Sequence, residues 1–222
     1  SDMDGVPDYF YSKWLQEKIA LECADKEGVE LVSLCPSVFV GPYDFRPSSS
    51  LPTLTGYLFD PMKLTYPGGV NIIHVEDVAK AHLTIGKQGT PGERYLICGD
   101  NLEWTEVHEM IAALAGVSKP KLRMGAKTAY WGGMAMELGA KLTGKAPLAT
   151  RDTAKMVGSY FWYNDEKAQQ LGHNGKGSTR RAIVDTLGWL LESPHLSPKE
   201  RNSMNPSEEV LVAQQRFAAS KE

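Results

Sequence analysis

Between Tyr9 and Lys26 apolar residues recur at Trp14, Leu15, Ile19 and Leu21 among strong helix formers, a spacing that predicts one amphipathic helix entered after Pro7 and closed by Gly28. The mostly apolar run from Val29 to Cys35 then predicts a buried strand stopped by Pro36. From Gly41 to Gly69 prolines and the Ser48-Ser49-Ser50 cluster give a loop-like text with a single helix around Leu54 to Phe59, and a long irregular stretch of this kind is often functional. A short strand over Val70 to Val75, a helix over Glu76 to Lys87 and a second buried strand over Glu93 to Cys98, entered through Thr90-Pro91-Gly92, complete a pattern in which helices and strands alternate. That alternation predicts an α/β fold.

Beyond Asp100 the pattern turns helical. Helices are predicted from Thr105 (a plausible cap) to Ala115, from Ala126 to Leu142, from Arg151 to Val157, from Asp165 to Leu171 and from Thr179 to Glu192. Prolines and charges dominate from Ser193 onward, so residues 193–222 are expected to form a loosely held tail in which only Glu208 to Ala219 could be helical.

Composition narrows the function classes. With 222 residues, 42% of them hydrophobic, the chain can bury a core. Its 24 basic and 27 acidic residues give a net charge of −3, without the basic excess that binding a phosphate backbone uses. No apolar run approaches the ~20 residues that span a bilayer, so neither nucleic acid nor membrane is expected as a partner. Cys23, Cys35 and Cys98 form no C-x-x-C pair, and the first ten residues have neither a basic nor an apolar leader region; a reducing, cytoplasmic setting is the expectation.

The sharpest local chemistry is Tyr9-Phe10-Tyr11-Ser12-Lys13, because residues four apart share one helical face. A free phenol titrates near 10, so its use as an acid or base at neutral pH requires lowering by about 3, roughly 4 kcal/mol. A neighbouring ammonium stabilises the phenolate by Coulomb attraction, and the positive ring of an oxidised nicotinamide would add to it.

Y-x-x-S-K-x-x-x-E at Tyr9, Ser12, Lys13 and Glu17 is followed in order by the Pro36 to Pro42 turn, by H-V-x-D-V-A at His74 to Ala79 and by P-G-E-R-Y at Pro91 to Tyr95. With these motifs the chain resembles the extended short-chain dehydrogenase/reductase superfamily, also called the NAD-dependent epimerase/dehydratase superfamily, in the branch of dihydroflavonol reductases and 3β-hydroxysteroid dehydrogenases. The resemblance runs from about Tyr9 to Glu192. It implies the C-terminal portion of a Rossmann-type doubly wound parallel sheet over residues 1–192, with a mainly helical substrate lobe at 41–70 and 100–192. It also implies NAD or NADP as cofactor, Tyr9 as proton donor or acceptor, Lys13 as its electrostatic partner, and Pro36, Ser37 and Val38 alongside the nicotinamide together with Tyr9 and Lys13. The loop from Gly41 to Ser50 would border the substrate, with Arg46, Ser48 and Ser49 as binding residues.

Family members begin with a strand, a glycine-rich turn and a helix whose amides hold the pyrophosphate. Only eight residues precede Tyr9, so that unit is expected to be missing here, along with the family's usual catalytic Ser or Thr. Binding of dinucleotide by this chain alone is therefore expected to be poor, and the missing half, or self-association through an open sheet edge, is the expected macromolecular partner.

Two glycine-rich stretches could be mistaken for phosphate loops. Gly86 to Gly92 spells G-x-x-G-x-x-G but leaves a helix and enters a strand, the reverse of the order that phosphate binding needs. Gly172 to Ser178 precedes a helix but lacks the adjacent Gly-Lys-Ser/Thr order, and reads as a connector. The histidines lie at no metal-ligand spacing; His74 and Asp77 read as packing or capping residues. Tyr130, Trp131, Tyr160, Phe161, Trp162 and Tyr163 fall where the family holds substrate, and would suit a flat apolar molecule if they are not simply lobe packing. Sugar-nucleotide epimerases of the superfamily generally carry an arginine near the slot of Val70; without it a reductase or dehydrogenase acting on a small carbonyl or alcohol is expected, with a sugar epimerase or dehydratase, or a noncatalytic fragment, as the alternatives.

Overall fold

The computed structural model describes residues 8–46, 48–125, 127–129, 131, 134 and 156–219. In chain order these form α1 (Asp8–Glu27), β1 (Ser33–Pro36), β2 (Val38–Val40), α2 (Pro52–Leu58), β3 (Leu64–Thr65), β4 (Gly69–His74), α3 (Val75–Gln88), β5 (Arg94–Ile97), β6 (Asp100–Glu103), α4 (Trp104–Ala115), β7 (Leu122–Arg123), β8 (Tyr160–Phe161), α5 (Glu166–Gln169), α6 (Ser178–Glu192), α7 (Pro198–Asn202) and α8 (Glu208–Ala219). The α/β expectation holds. Most of the helices expected between Ala126 and Val157, and Tyr130, lie outside the described residues.

One run, residues 33–40, supplies strands to two sheets. Its first half, β1, pairs in parallel with β5, placing Ser33 opposite Arg94 and Pro36 opposite Ile97. Its second half, β2, pairs in parallel with β4, placing Val38 opposite Ile72 and Val40 opposite His74. Ser37 is the residue between them, and its amide still donates to Ile97 O at 3.0 Å. The first strand ends at Pro36 as expected, and the extended chain resumes one residue later as β2 in the other sheet. Proline lacks a donor, and it stands here at the last position of a ladder, where the loss is tolerated.

On the opposite edge of β4 runs β6, antiparallel, from Gly69 opposite Glu103 to Ile72 opposite Asp100. Gly69 and Val70 also face Tyr160 and Phe161 of β8. Since β6 holds one edge, β8 shares the other with β2, and the two meet end to end around Asn71.

The larger core joins α2, α4, α6 and α8 to β4, with Leu54, Ile72, Val107, Ile111, Ile183, Leu187, Leu190 and Val210 fully buried; a smaller one forms around Ile73, Ile85, Tyr95 and Ile97. All six residues of β4 are buried, as befits a strand covered on both faces.

Two expectations are corrected. Residues 193–219 are not a loose tail: α8 lays Val210, Ala213 and Phe217, spaced i, i+3, i+7, against the core, and Asn205 N and Ser207 N donate to Ala115 O and Leu114 O. The cap of α4 is Glu103, not Thr105: the Glu106 carboxylate accepts from the Glu103 amide at 2.7 Å in a capping box, while Thr105 faces Thr65.

Candidate functional site at the carboxyl end of β1

Tyr9 and Lys13 lie one turn apart on α1. The Lys13 ammonium stands 5.8 Å from the centre of the Tyr9 ring, and Tyr9 is 63% exposed, so phenol and ammonium share an open face. The exposed Ser12 hydroxyl bonds back along the helix, donating to Tyr9 O at 2.7 Å, and Lys13 Nζ also reaches Gln16 Oε1 at 3.4 Å.

The height of this face along the sheet is set by Glu17, two turns further on, whose carboxylate accepts from Ser33 Oγ at 2.5 Å and from Arg94 Nε at 2.8 Å and pairs with Arg94 Nη2. Arg94, then burial opposed by the Ser33 hydroxyl, leaves the Glu17 carboxyl below the usual carboxylate range. Eight helical residues back from Glu17 to Tyr9 is about 12 Å. Four strand residues on from Ser33 to Ser37 is about 13 Å. The chain turns back at Gly28 between α1 and β1, so by these two lengths the Tyr9 end of α1 runs toward the carboxyl end of β1, the end of a parallel strand at which open α/β sheets bind ligands.

The other side of this level is aromatic. Phe10 stacks on Phe161 with ring centres 6.3 Å apart and an interplanar angle of 20°, and touches Tyr9 edge-on at 5.7 Å. Phe161 lies opposite Val70 and Val38 opposite Ile72 on the same edge of β4, so Phe161 and Ser37 approach across a gap about one residue long. The segment after Phe161 is pinned by amides: Asn71 Nδ2 donates to Asn101 Oδ1 at 2.7 Å, and Asn101 accepts from Tyr163 N and donates to Tyr163 O. Asn71 is buried, and it also exchanges hydrogen bonds with Gly99.

Ser37 Oγ is buried and has no hydrogen-bond partner. Leaving a hydroxyl so costs about 1–3 kcal/mol. Ser37 as a whole is half-buried, and its unpaired hydroxyl is a group that an amide-bearing ligand, as a nicotinamide is, would satisfy. No comparable fit exists for a pyrophosphate among the described residues. The first amides of α6, after the Gly172 to Ser178 loop, are taken by Asp100, which accepts from Gly177 N at 2.8 Å and Thr179 N at 3.0 Å. In the other decoy, Gly89 ends α3 and Gly92 turns at φ 81° into β5.

Arg46, Ser48 and Ser49 are not brought into hydrogen-bond contact with Tyr9 or Lys13. Ser48 donates from N and Oγ to Asp44, and the loop is drawn to the C-terminal helices by Tyr43 against Phe217 and by Phe45 against Trp189. His74 and Asp77 are structural: His74 caps α3, its Nδ1 accepting from Glu76 N at 3.0 Å, and Asp77 accepts from Ser178 Oγ and Arg181. Phe10 and Arg94 were missed as site residues in the sequence, whereas Phe161 stood among the aromatics expected near substrate. The signal was there for Arg94, which sits in the P-G-E-R-Y motif as Glu17 does in Y-x-x-S-K-x-x-x-E.

The profile of the NAD dependent epimerase/dehydratase family matches residues 5–98, which hold the Tyr9–Lys13 face, β1, β2, β4 and β5. This segment, residues 5–98, is thus similar to the domain of that family. It is 26% identical over 186 residues to a putative dihydroflavonol 4-reductase of Synechocystis sp., covering 82% of this chain and 54% of that protein. It is 28% identical over 195 residues to cinnamoyl-CoA reductase 1 of Arabidopsis thaliana, covering 86% of this chain and 48% of that protein. The crystal structure of gox2253 superposes with a TM-score of 0.68 at 26% identity, over 88% of this chain and 64% of that one. The chain thus spans about half the length of the reductase relatives it matches. Among the described residues no helix is long and apolar enough to cross a membrane.

Proposed function

We propose that the chain supplies the proton-transfer face and part of the substrate wall of an NAD(P)-dependent oxidoreductase acting on a carbonyl or alcohol, of the dihydroflavonol reductase or hydroxysteroid dehydrogenase type. The observation that carries this reading is the exposed Tyr9 phenol with the Lys13 ammonium beside it on one face of α1. When bound, a nicotinamide supplies or takes the hydride. In the reducing direction the Tyr9 hydroxyl gives its proton to the carbonyl oxygen, and Lys13 stabilises the phenolate left behind. Phe10 and Phe161 offer a flat apolar surface to the substrate and shield that oxygen from water. Val70, buried and uncharged, supports a substrate without a diphosphate.

The test is turnover of aryl ketones and aldehydes with NADH and NADPH, measured in the protein with its native coding context intact. Tyr9→Phe should lower kcat by at least about 10³-fold with cofactor binding nearly unchanged, and Lys13→Ala should weaken both. Full turnover in Tyr9→Phe would remove the mechanism.

A further inference from the structure

The structure assigns Glu17 and Arg94 to a task beyond stability: they position Tyr9 and Lys13 against the strand end, an assignment that rests on the reading of Tyr9 just given. From Tyr9 to Glu27 no residue of α1 is fully buried, so packing alone leaves the helix free to slide or roll. The hydrogen bonds and ion pair between α1 and the sheet converge on Glu17, whose carboxylate holds the guanidinium of Arg94 through two nitrogens and the hydroxyl of Ser33. Ser33 and Arg94 are direct partners in the β1–β5 ladder, so one carboxylate fixes the helix to both strands at a single level. The Glu17 side chain is 15% exposed and that of Arg94 57%, so the pair holds α1 by its two-nitrogen geometry and by the added Ser33 hydrogen bond more than by burial of charge.

The consequence follows from helical geometry. A slip of one residue along α1 moves the phenol by about 1.5 Å and turns it by about 100°, and a misplacement of about 1 Å can cost about 10²-fold in rate. Phe10 on Phe161 holds the helix near its start, but a ring stack permits sliding. The fork of Arg94 on a carboxylate does not.

Kinetics and a contact measurement test this in the protein with its native coding context. Glu17→Gln and Arg94→Ala should each lower kcat about 10- to 100-fold with KM within about 3-fold. The pH midpoint of kcat should stay put in both, because Lys13 rides on the same helix as Tyr9, whereas Lys13→Met should move it. Arg94→Lys should fall between, and the exchange Glu17→Arg with Arg94→Glu should recover most of the loss. In 13C-phenylalanine-labelled protein the Phe10–Phe161 NOE should weaken in Arg94→Ala at unchanged melting temperature, a readout that needs no turnover. Unchanged kcat in Glu17→Gln and Arg94→Ala, with Tyr9→Phe inactive, overturns the assignment and leaves the mechanism standing. An unaltered NOE in a folded Arg94→Ala also overturns it. Full turnover in Tyr9→Phe instead brings down the mechanism beneath it.

Discussion

His74 Nε2 lies 3.2 Å from Asp185 Oδ2, and since His74 Nδ1 accepts the Glu76 amide, the proton must sit on Nε2 and point at the carboxylate. The other oxygen of Asp185 accepts from Arg216 at 2.6 Å, so one buried aspartate ties the end of β4 to α6 and α8. Burial works to raise the Asp185 carboxyl, and the bonds from His74 and Arg216 overcome it, leaving it below its usual range. Asp185→Ala strands a buried imidazole donor and should cost about 3 kcal/mol, seen as a lower denaturant midpoint. A loss under about 0.5 kcal/mol would mean the network is incidental.

His108 gives the fold an acid sensitivity. Its ring stacks on Tyr57 at 4.5 Å, receives Trp104 and Tyr66 on other sides and reaches Thr65 Oγ1 through Nδ1 at 3.0 Å. Burial pushes the imidazole down from 6.5 to about 4. The unfolded chain therefore binds the proton first as pH falls, so the contribution of His108 is complete above about pH 6.5 and declines toward pH 4, by about 3 kcal/mol. Thermal melts from pH 7 to 4.5 should show this slope, and His108→Phe should flatten it.

Asp100 predicts a helix-capping cost rather than a change in ligand binding. Asp100→Ala frees the amides of Gly177 and Thr179 at the start of α6 and should destabilise by about 1–2 kcal/mol. Inorganic phosphate should leave the melting temperature of the unsubstituted protein unmoved, because those amides are already engaged. Protection by millimolar phosphate would show that the loop binds anions after all.

The C-terminal segment should be indispensable. A Cβ on Gly116, at φ 65°, would lie 1.8 Å from Asn205 O, so Gly116→Ala meets both a strained backbone and a collision. It should destabilise by about 2 kcal/mol or more, and ending the chain at Glu192 should leave α6 uncovered and the product insoluble. A soluble, cooperatively melting 1–192 fragment would contradict this.

The longer elements were legible because local pattern and burial agree in them. The helix over Tyr9 to Lys26, the strand of Val70 to Val75 and the helix after it stand within a residue or two of their observed limits. The short strands were not. Asp100-Asn101-Leu102-Glu103 has no apolar alternation, and it becomes a strand because β4 offers it an edge. The tail was misread by weighing its charges and prolines over the stripe of Val210, Ala213 and Phe217. At the site, the Tyr9–Lys13 pair follows from helical spacing alone, whereas Phe161 reaches Phe10 across about 150 residues of chain through strand register, which composition does not encode.

The division of residues 33–40 between two sheets places an unusual demand on chain length. Side chains in a strand alternate between faces, so one added or deleted residue between Pro36 and Val38 would turn every later position of β2 inside out while β1 stayed in register. Val40, packed in the larger core, would be exchanged for its exposed neighbour Phe39. The stretch beside Tyr9 can thus accept a different side chain more readily than a different count, and the spacing from Ser33 to Val40 acts as a ruler to which both layers are cut.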